Sequence, residues 1–441
     1  MSSINIFVVV LMVLIFIGIP MSACFGLAAY VYLLLENVPL LIVAQTLINR
    51  VDSITLTAVP LFILSGNLMS AGGIARRLIR LASLMVGDVP GGLAYITIAC
   101  CAFFASLTGS AMATAVAIGS IMLPYMLQAG YNKEYACSVI AAGAILGPII
   151  PPSTGLIIFG NTASCSIISL YKVGVPAGLF LALLMCILAY FMCKKRGYGG
   201  LSKTHVLKTL KGFENIKEDD KLSLRQIVYI VVEAFPALIS PFFILGSLFS
   251  GIATPSEAAA VSVLVSFVVG VFIYKEIKPK DFIRVIRATA KQTATTLFIV
   301  ANAGLFAWVL SFSRMPDVVM AGFQPLVEAM GSMGVMFVIA GIMLILGCFM
   351  NPSSIMILTI PLFLDLTKTL GFSVFHYGII TQVAVGVGFI TPPFGNVLFC
   401  MVATFGIKLH TLAKALIPAL LLLIFALALI VMFPQITQFV L

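Results

Sequence analysis

Long apolar segments dominate the chain, and short polar segments separate them. Runs of about 20 consecutive apolar residues recur from Ile6 onward, and a helix needs about that many to cross the hydrocarbon core of a bilayer. The runs lack the strict alternation of apolar and polar positions that an outer-membrane barrel shows. Since backbone polar groups in lipid must be satisfied within their own segment, the pattern predicts an all-α polytopic membrane protein.

The composition supports this prediction. Of the 441 residues, 61% are hydrophobic and 9% are charged, whereas a soluble domain carries about a quarter charged residues. A soluble enzyme, a solenoid and a disordered chain are therefore excluded. The net charge of +10 does not indicate nucleic-acid binding, because nine of the 25 Lys and Arg residues lie within residues 194–225. In a membrane protein such a basic segment marks a cytoplasmic loop.

The halves on either side of this loop share a sequence pattern. Pro151 and Pro152 match Pro392 and Pro393 at a separation of 241 positions, which predicts an internal duplication. Equivalent segments in the two halves carry their basic residues at opposite ends, as in an inverted-topology repeat. The expected organisation is a first inverted repeat over residues 1–193, a cytoplasmic basic loop over 194–226 and a second inverted repeat over 227–441.

Two polar interruptions in apolar runs occupy matching positions of the repeat. One is the hydroxyl-rich segment 104–114 around Gly109, and the other is segment 347–354 with its Asn351-Pro352 pair. Ser110 falls on Asn351 at the same separation of 241 positions. A spanning run broken at its centre by such residues indicates a re-entrant helical hairpin. We call these two segments the first tip and the second tip.

Two further interruptions contain the proline pairs, in segments 147–155 and 388–396, which we call the first and second Pro-Pro break. Proline removes a backbone donor and clashes with the carbonyl four residues earlier, so each pair unwinds a turn and frees carbonyl groups. Na⁺ takes oxygen ligands from carbonyls and hydroxyls, and the N-termini of half-helices favour an anionic substrate. A single Gly or Pro would indicate only a packing kink, but four matched interruptions beside Ser, Thr or Asn predict a binding site.

Other polar residues in apolar surroundings have simpler explanations. Thr254, Pro255 and Glu257 have the spacing of a helix capping box, which we favour over a proton-carrying glutamate. Asp365 and Lys368 can form an ion pair on one helical face. Asn302 either holds helices together or belongs to the binding site.

These features favour a secondary carrier over three other classes of membrane protein. A channel needs a continuous polar lining, and this chain has isolated polar segments. An ATP-driven transporter carries the G-x-x-x-x-G-K-[ST] motif, which is absent from the sequence. A membrane-embedded enzyme needs a compact catalytic set such as His-Glu-x-x-His, which is also absent. We therefore expect no enzymatic activity.

Several motifs together resemble the large membrane subunit, or permease, of the tripartite ATP-independent periplasmic (TRAP) transporters. They are the Thr-Gly-Ser run from Thr108, Pro-Pro-Ser at 151–153, Ala-Thr-Pro-Ser-Glu from Ala253 and Thr-Pro-Pro-Phe-Gly at 391–395. The resemblance implies about 11–12 transmembrane helices, two re-entrant hairpins and an elevator-type ion transporter fold. It also implies Na⁺-coupled uptake, without ATP, of a small organic acid of the sialic acid, C4-dicarboxylate or sugar-acid class across the bacterial inner membrane.

The same resemblance implies two protein partners in addition to the lipid bilayer. They are a small four-helix membrane subunit, expected here as a separate polypeptide, and a periplasmic substrate-binding protein that delivers the organic acid. The alternative is a Na⁺-coupled carboxylate carrier that works without a binding protein. Nucleic acid is not an expected partner.

By position, the resemblance places the hairpin tips at 106–111 and 350–354 and the broken helices at 150–154 and 391–396. Many relatives resemble Asp-Pro where this chain has Asn351-Pro352, so one possible carboxylate ligand is missing from the second tip. The full set of candidate residues for substrate and Na⁺ is Ser106, Thr108, Gly109, Ser110, Pro151, Pro152, Ser153, Asn302, Asn351, Pro352, Ser353, Ser354, Gly388, Thr391, Pro392, Pro393 and Asn396.

Overall fold

The computed structural model describes residues 3–85, 91–198 and 223–440, and within these ranges the chain forms helices and no strands. This confirms the predicted all-α fold. Most of the predicted 194–226 loop lies outside the described residues. The helices in chain order are α1 (Ser3–Phe16), α2 (Met21–Leu35), α3 (Leu41–Val51), α4 (Ala58–Ala71), α5 (Ile74–Met85), α6 (Gly92–Thr108), α7 (Ala111–Gln128), α8 (Lys133–Ala144), α9 (Thr154–Thr162), α10 (Ile167–Arg196), α11 (Leu224–Phe249), α12 (Pro255–Val268, followed by a π-turn at Val269–Ile273), α13 (Pro279–Phe312), α14 (Met315–Phe349), α15 (Pro352–Thr369), α16 (Val374–Gly388), α17 (Asn396–Phe405), α18 (Leu409–Met432) and α19 (Gln435–Gln438).

Several of these helices have the length and hydropathy of membrane spans. Among the described residues, 6 helices are long and apolar enough to cross a bilayer, or up to 8 when each of two bent helix pairs counts as one span. Shorter apolar helices, including α1, α2, α16 and α17, accompany them. The sequence predicts 11–12 spans, which is more than this count of 6 to 8 by length and hydropathy. The chain is therefore a polytopic membrane protein, as the sequence predicts.

The helices pack into two groups. In the first group α2, α3 and α4 pack on α13, α4 also packs on α12, and α5 packs on α11. In the second group α8 packs against α6, α7 and α18, and α14 packs against α15 and α16. Helix α13 also packs on α15, so it forms part of the boundary between the groups. This boundary positions the candidate site described below.

The two helices that precede the Pro-Pro breaks are the most deeply buried elements. Every residue of α8 from Tyr135 to Ala144 is buried, as is every residue of α16 from His376 to Gly388. A helix that is apolar on all sides belongs in the centre of a bundle, where other helices cover it. Backbone that leaves a helix at membrane depth is tolerated only inside protein or beside a water-filled cavity, and both breaks begin at buried residues.

An ion-pair network joins α5 to α11 and to the segment after the π-turn. Arg77 Nη1 lies 2.7 Å from Glu276 Oε1, and Arg80 Nη1 lies 2.7 Å from Glu233 Oε2. The guanidinium of Arg77 also lies over the ring of Tyr274, 3.6 Å from its centroid. Because the side chain of Arg80 is only 8% exposed, this network compensates charge that is largely removed from solvent.

Two local predictions are confirmed. At the start of α12 the backbone N–H of Thr254 donates to Glu257 Oε2 at 2.8 Å, and the Thr254 hydroxyl accepts from the Glu257 N–H. This is the predicted capping box, so Glu257 is accounted for by helix capping. Lys368 and Asp365 form the predicted ion pair at 3.4 Å, and both side chains are exposed.

Candidate functional site

The first tip is a sharp break between two helices that pack against each other. Helix α6 ends at Thr108, and Gly109 adopts a left-handed conformation with φ of 60° while its N–H donates to the Ala105 carbonyl at 2.9 Å. Ser110 is extended and caps α7, since its side-chain oxygen accepts from the Ala113 N–H at 3.4 Å. The predicted hairpin is therefore present, with the N-terminus of α7 at its tip.

The second tip repeats this arrangement with different residues. Helix α14 ends at Phe349, Asn351 is extended and Pro352 is the first residue of α15. Proline is well suited to that position because the first helical N–H has no partner inside the helix. The Asn351 side chain makes no cap bond; its Oδ1 instead accepts from Asn396 Nδ2 at 3.5 Å. The second tip thus contacts the second Pro-Pro break.

Every residue of the first Pro-Pro break except the half-buried Thr154 is buried. Helix α8 ends at Ala144, α9 begins at Thr154, and the Pro151–Pro152 peptide between them is cis. The Ser153 hydroxyl donates to the Pro148 carbonyl at 2.6 Å and accepts from the Leu156 N–H at 3.3 Å. One serine therefore caps α9 and satisfies one of the carbonyls that the break frees.

The second Pro-Pro break, between α16 and α17, is more open. Its Pro392–Pro393 peptide is also cis, and Pro393 is exposed. The Thr391 hydroxyl donates to the Val387 carbonyl at 2.8 Å, and the Gly395 N–H donates to the Thr391 carbonyl at 3.1 Å. Both halves thus contain a cis Pro-Pro break, but the second break is more exposed than the first.

Each tip lies against a Pro-Pro break. A Cβ placed on Gly147 would lie 2.7 Å from the Ser110 carbonyl carbon, so only glycine allows the first break to approach the first tip this closely. A Cβ placed on Gly388 would lie 2.7 Å from the Cα of Gly347, the first residue of the second tip. These close approaches bring the four predicted segments into two matched pairs.

A cavity of about 440 Å³ lies between the two tips and one face of α13. The N-terminal ends of α7, α9 and α15 all contribute to its wall. Since the N-terminus of a helix carries partial positive charge and free N–H groups, three such ends favour an anion in the cavity. The lining residues are Gly109, Ser110, Ala111, Met112, Pro148, Thr154, Gly155, Ala288, Lys291, Gln292, Thr295, Thr296, Ile299, Asn351, Pro352, Ser353 and Phe389.

Five predicted site residues line this cavity: Gly109, Ser110, Asn351, Pro352 and Ser353. The other predicted residues of the tips and breaks do not line it. They are Thr108, Pro151, Pro152, Ser153, Ser354, Gly388, Thr391, Pro392, Pro393 and Asn396.

Two predicted site residues lie elsewhere. Ser106 lines a separate apolar cavity of about 480 Å³ between α6, α10 and α11, and its hydroxyl donates to the Phe103 carbonyl. Asn302 packs against Gly26 of α2 and donates to the Phe298 carbonyl at 2.9 Å. This position agrees with the alternative in which Asn302 packs helices together, because its amide lies between α13 and α2.

The sequence reasoning missed the polar face of α13. Ala288, Lys291, Gln292, Thr295 and Thr296 recur at the spacing of one helical face, and all line the cavity. The three- and four-residue spacing of these positions is visible in the sequence and predicts one polar helix face. However, nothing local indicates that this face meets the two tips, because α13 is far from both along the chain.

A second missed feature is the buried amide of Gln382 on α16. The side chain is fully buried, and neither its Oε1 nor its Nε2 has a hydrogen-bond partner among the described residues. Its Nε2 lies against the Cα of Gly155, which lines the cavity. The buried hydroxyl of Ser354 also has no partner within the described part of the chain. Such orphaned polar atoms are rare in protein interiors and often mark functional positions.

Comparison with known structures shows the same fold in other transporters. The chain superposes on the Neisseria gonorrhoeae MtrF transporter with a TM-score of 0.62 and 12% sequence identity, over 91% of this chain and 85% of that one. It superposes on the Alcanivorax borkumensis YdaH transporter with a TM-score of 0.60 and 14% identity, over 89% of this chain and 87% of that one. At these identities the likeness establishes the fold alone.

Sequence comparison identifies closer relatives. The chain is 31% identical over 425 residues to the Vibrio cholerae sialic acid TRAP transporter large permease SiaM, covering 96% of this chain and 95% of the relative. It is 30% identical to the Escherichia coli 2,3-diketo-L-gulonate large permease YiaN, covering 95% of this chain and 94% of the relative. It is 32% identical to the Pseudomonas aeruginosa C4-dicarboxylate large permease DctM, covering 89% of this chain and 88% of the relative.

The family described as the DctM component of the tripartite ATP-independent periplasmic transporter matches residues 8–436, which is nearly the whole chain. The matched region contains both tips, both Pro-Pro breaks and the cavity-lining face of α13. The chain therefore belongs to the large permease (DctM) component of the TRAP transporter family.

Proposed function

We propose that this inner-membrane permease carries out Na⁺-coupled uptake of a small organic acid by an elevator mechanism. The observation that carries the proposal is the cavity in which the first and second tips meet the N-termini of α7, α9 and α15. Such sites at the junction of two repeats, formed by broken helices, are typical of secondary transporters.

An anionic substrate is supported by charge and by the relatives. The three helix N-termini supply partial positive charge, and no acidic side chain is among the residues that line the cavity. The three relatives named above are permeases for sialic acid, 2,3-diketo-L-gulonate and C4-dicarboxylates, and each of these compounds carries a carboxylate. An organic acid of this kind fits the size and charge of the cavity.

Coupling to Na⁺ is supported by the oxygen atoms beside the cavity. The hydroxyls of Ser110 and Ser353 and the carbonyl of Pro148 belong to residues that line it, and hard cations prefer such oxygen ligands. A Na⁺ held at these oxygens would also lower the electrostatic cost of bringing a carboxylate into the membrane interior. The chain needs no acidic ligand at position 351 for this scheme.

An elevator movement is supported by the division of the helices into two groups. The cavity has its tips and breaks on the second group, whereas α13 of its opposite wall packs mainly with the first. A rigid movement of the second group against α13 would carry the substrate with the tips and breaks. The apolar cavity between α6, α10 and α11 lies where α6 of the second group faces α11 of the first, and few polar groups there would resist sliding.

Two partners complete the proposed system, a small membrane subunit and a periplasmic substrate-binding protein. The described residues form membrane helices and short connections and contain no folded extramembrane domain that could capture a substrate. Capture outside the membrane would therefore fall to a separate binding protein. The alternative is a carboxylate carrier that works without one.

Reconstitution tests the proposal directly. Proteoliposomes with this chain and the small subunit are given the binding protein loaded with sialic acid, 2,3-diketo-L-gulonate or succinate. Uptake of one of these acids should require an inward Na⁺ gradient and should not respond to ATP. Equal uptake after replacement of Na⁺ by choline would contradict Na⁺ coupling, and full uptake without the binding protein would favour the alternative carrier.

A further inference from the structure

We propose that Lys291 is the counter-ion for the substrate carboxylate and that α13 therefore takes part in substrate recognition. The inference rests on the proposed function, because it assigns the charged partner of the anion in the same cavity. It goes beyond the tips and breaks by placing a recognition residue on the opposite wall.

Charge is the first argument. Lys291 is the one ionisable residue among the described residues that line the cavity. No carboxylate in the described part of the chain lies within ion-pairing distance of it. Lys291 is exposed, and no carboxylate of the described residues neutralises its charge. Three helix N-termini of the same sign share the cavity, so the positive potential there is relieved by an anion rather than by a neutral molecule.

The geometry of α13 is the second argument. Lys291, Gln292, Thr295 and Thr296 lie three and four residues apart, so they form one continuous polar face toward the cavity. The Thr295 hydroxyl donates to the Lys291 carbonyl and the Thr296 hydroxyl to the Gln292 carbonyl, both at 2.9 Å. Each hydroxyl oxygen still has capacity to accept a hydrogen bond. If the substrate carboxylate binds Lys291, the other polar groups of the substrate lie next to the Thr295 and Thr296 hydroxyls.

The position of Lys291 opposite the tips has a mechanistic consequence. The N-termini of α7, α9 and α15 move with the second helix group in an elevator, but α13 packs mainly with the first. Contact between Lys291 and the substrate is therefore made in the arrangement described here and is broken when the second group moves. Lys291 contributes to apparent substrate affinity without being a ligand of the Na⁺ that the tips hold.

A matched control lies one helical turn away on the same helix. Arg287 is exposed, has no ion pair with any described residue and does not line the cavity. Lys291→Gln and Arg287→Gln remove the same charge from neighbouring turns of α13. Lys291→Arg keeps the charge with a larger head group. Comparison of the three variants separates recognition in the cavity from a general effect of surface charge, such as binding of anionic lipid.

The experiment measures uptake by the complete reconstituted system with whichever of sialic acid, 2,3-diketo-L-gulonate and succinate the unaltered protein transports. Lys291→Gln should raise the substrate KM by about 10-fold or more, as expected for loss of one charge-assisted contact, and should leave the Na⁺ concentration for half-maximal uptake unchanged. Lys291→Arg should retain most of the affinity. Arg287→Gln should behave like the unaltered protein.

An unchanged KM in Lys291→Gln would overturn the inference. If Ser110→Ala still altered the Na⁺ dependence in that case, the proposed function would stand. Equal effects of Lys291→Gln and Arg287→Gln would also overturn it, because the charge would then act outside the cavity. Failure of the unaltered protein to transport any of the three acids would contradict the proposed function and this inference together.

Discussion

The Cα of Gly109 at the first tip lies directly against the carbonyl of Pro152 in the first Pro-Pro break. A Cβ at position 109 would lie 2.7 Å from the Pro152 oxygen, which is closer than van der Waals contact allows. Gly109 also has φ of 60°, a conformation that glycine adopts without steric cost. Two separate constraints therefore require glycine where the hairpin meets the broken helix.

Replacing Gly109 with alanine should abolish or strongly reduce transport. The new Cβ must displace Pro152, and with it the first break and the cavity wall. Gly130 is a matched control, because it also has a left-handed conformation, with φ of 80°, but has no atom within 4 Å of a Cβ. Gly130→Ala should cost about 1–2 kcal/mol of stability from backbone strain alone and keep transport. Similar transport in both variants, measured at equal membrane content, would contradict the close packing of tip and break.

Replacing Ser110 with alanine should raise the Na⁺ concentration for half-maximal uptake about 10-fold. Loss of one oxygen contact to a cation is worth on the order of 1–3 kcal/mol, and about 1.4 kcal/mol corresponds to 10-fold in affinity. Ser120 on the same helix is exposed, and its hydroxyl donates to the Val116 carbonyl, so Ser120→Ala is the control. The assay is uptake titrated with Na⁺ at a fixed substrate concentration. The same Na⁺ concentration for half-maximal uptake in both variants would exclude Ser110 from the site. Thr391→Val extends the same test to the second Pro-Pro break.

Replacing Gln382 with leucine should reduce transport while leaving thermal stability unchanged or higher. The buried amide has no partner among the described residues, so its removal loses no hydrogen bond and relieves unpaired polar atoms. A loss of uptake would then report a role for the amide beside Gly155 during the transport cycle. Thr381 is the control, since its hydroxyl is also buried but donates to the Tyr377 carbonyl at 2.8 Å. If Gln382→Leu and Thr381→Val both transport normally, the amide is only a packing group.

Replacing Glu233 with glutamine should destabilise the first helix group. The change keeps the shape of the side chain but leaves the largely buried Arg80 and Arg77 with less compensating charge, at a cost of about 3 kcal/mol. Asp365→Asn is the control, because its ion pair with Lys368 is exposed and worth about 1 kcal/mol or less. Thermal unfolding of the purified variants in detergent checks the difference. Equal melting temperatures would show that the network does not hold α5 to α11.

The chain's local chemistry was enough to predict much of the fold and part of the candidate site. Apolar runs long enough to span lipid predict helices wherever they occur, because the bilayer admits no other way to satisfy the backbone. The helix breaks were equally local. Pro151-Pro152 and Pro392-Pro393 cannot continue a helix, and Gly109 and the Asn351-Pro352 pair end or begin one at the tips. The spacing of 241 positions then related the two halves.

Tertiary packing alone decided which polar residues share the cavity. Ser106 and Ser110 are both serines of the first tip, yet Ser106 points into an apolar cavity and Ser110 lines the polar one. Lys291 and Gln382 are distant from the first break in sequence. In space, Lys291 lines the same cavity as the first break, and the Gln382 amide lies against Gly155 of that break. Periodicity determines which face of a helix a residue occupies, and contacts between distant segments determine what that face meets. The sequence by itself therefore determined the helices and their interruptions, and only the tertiary structure placed α13 and the buried amide of α16 at the site.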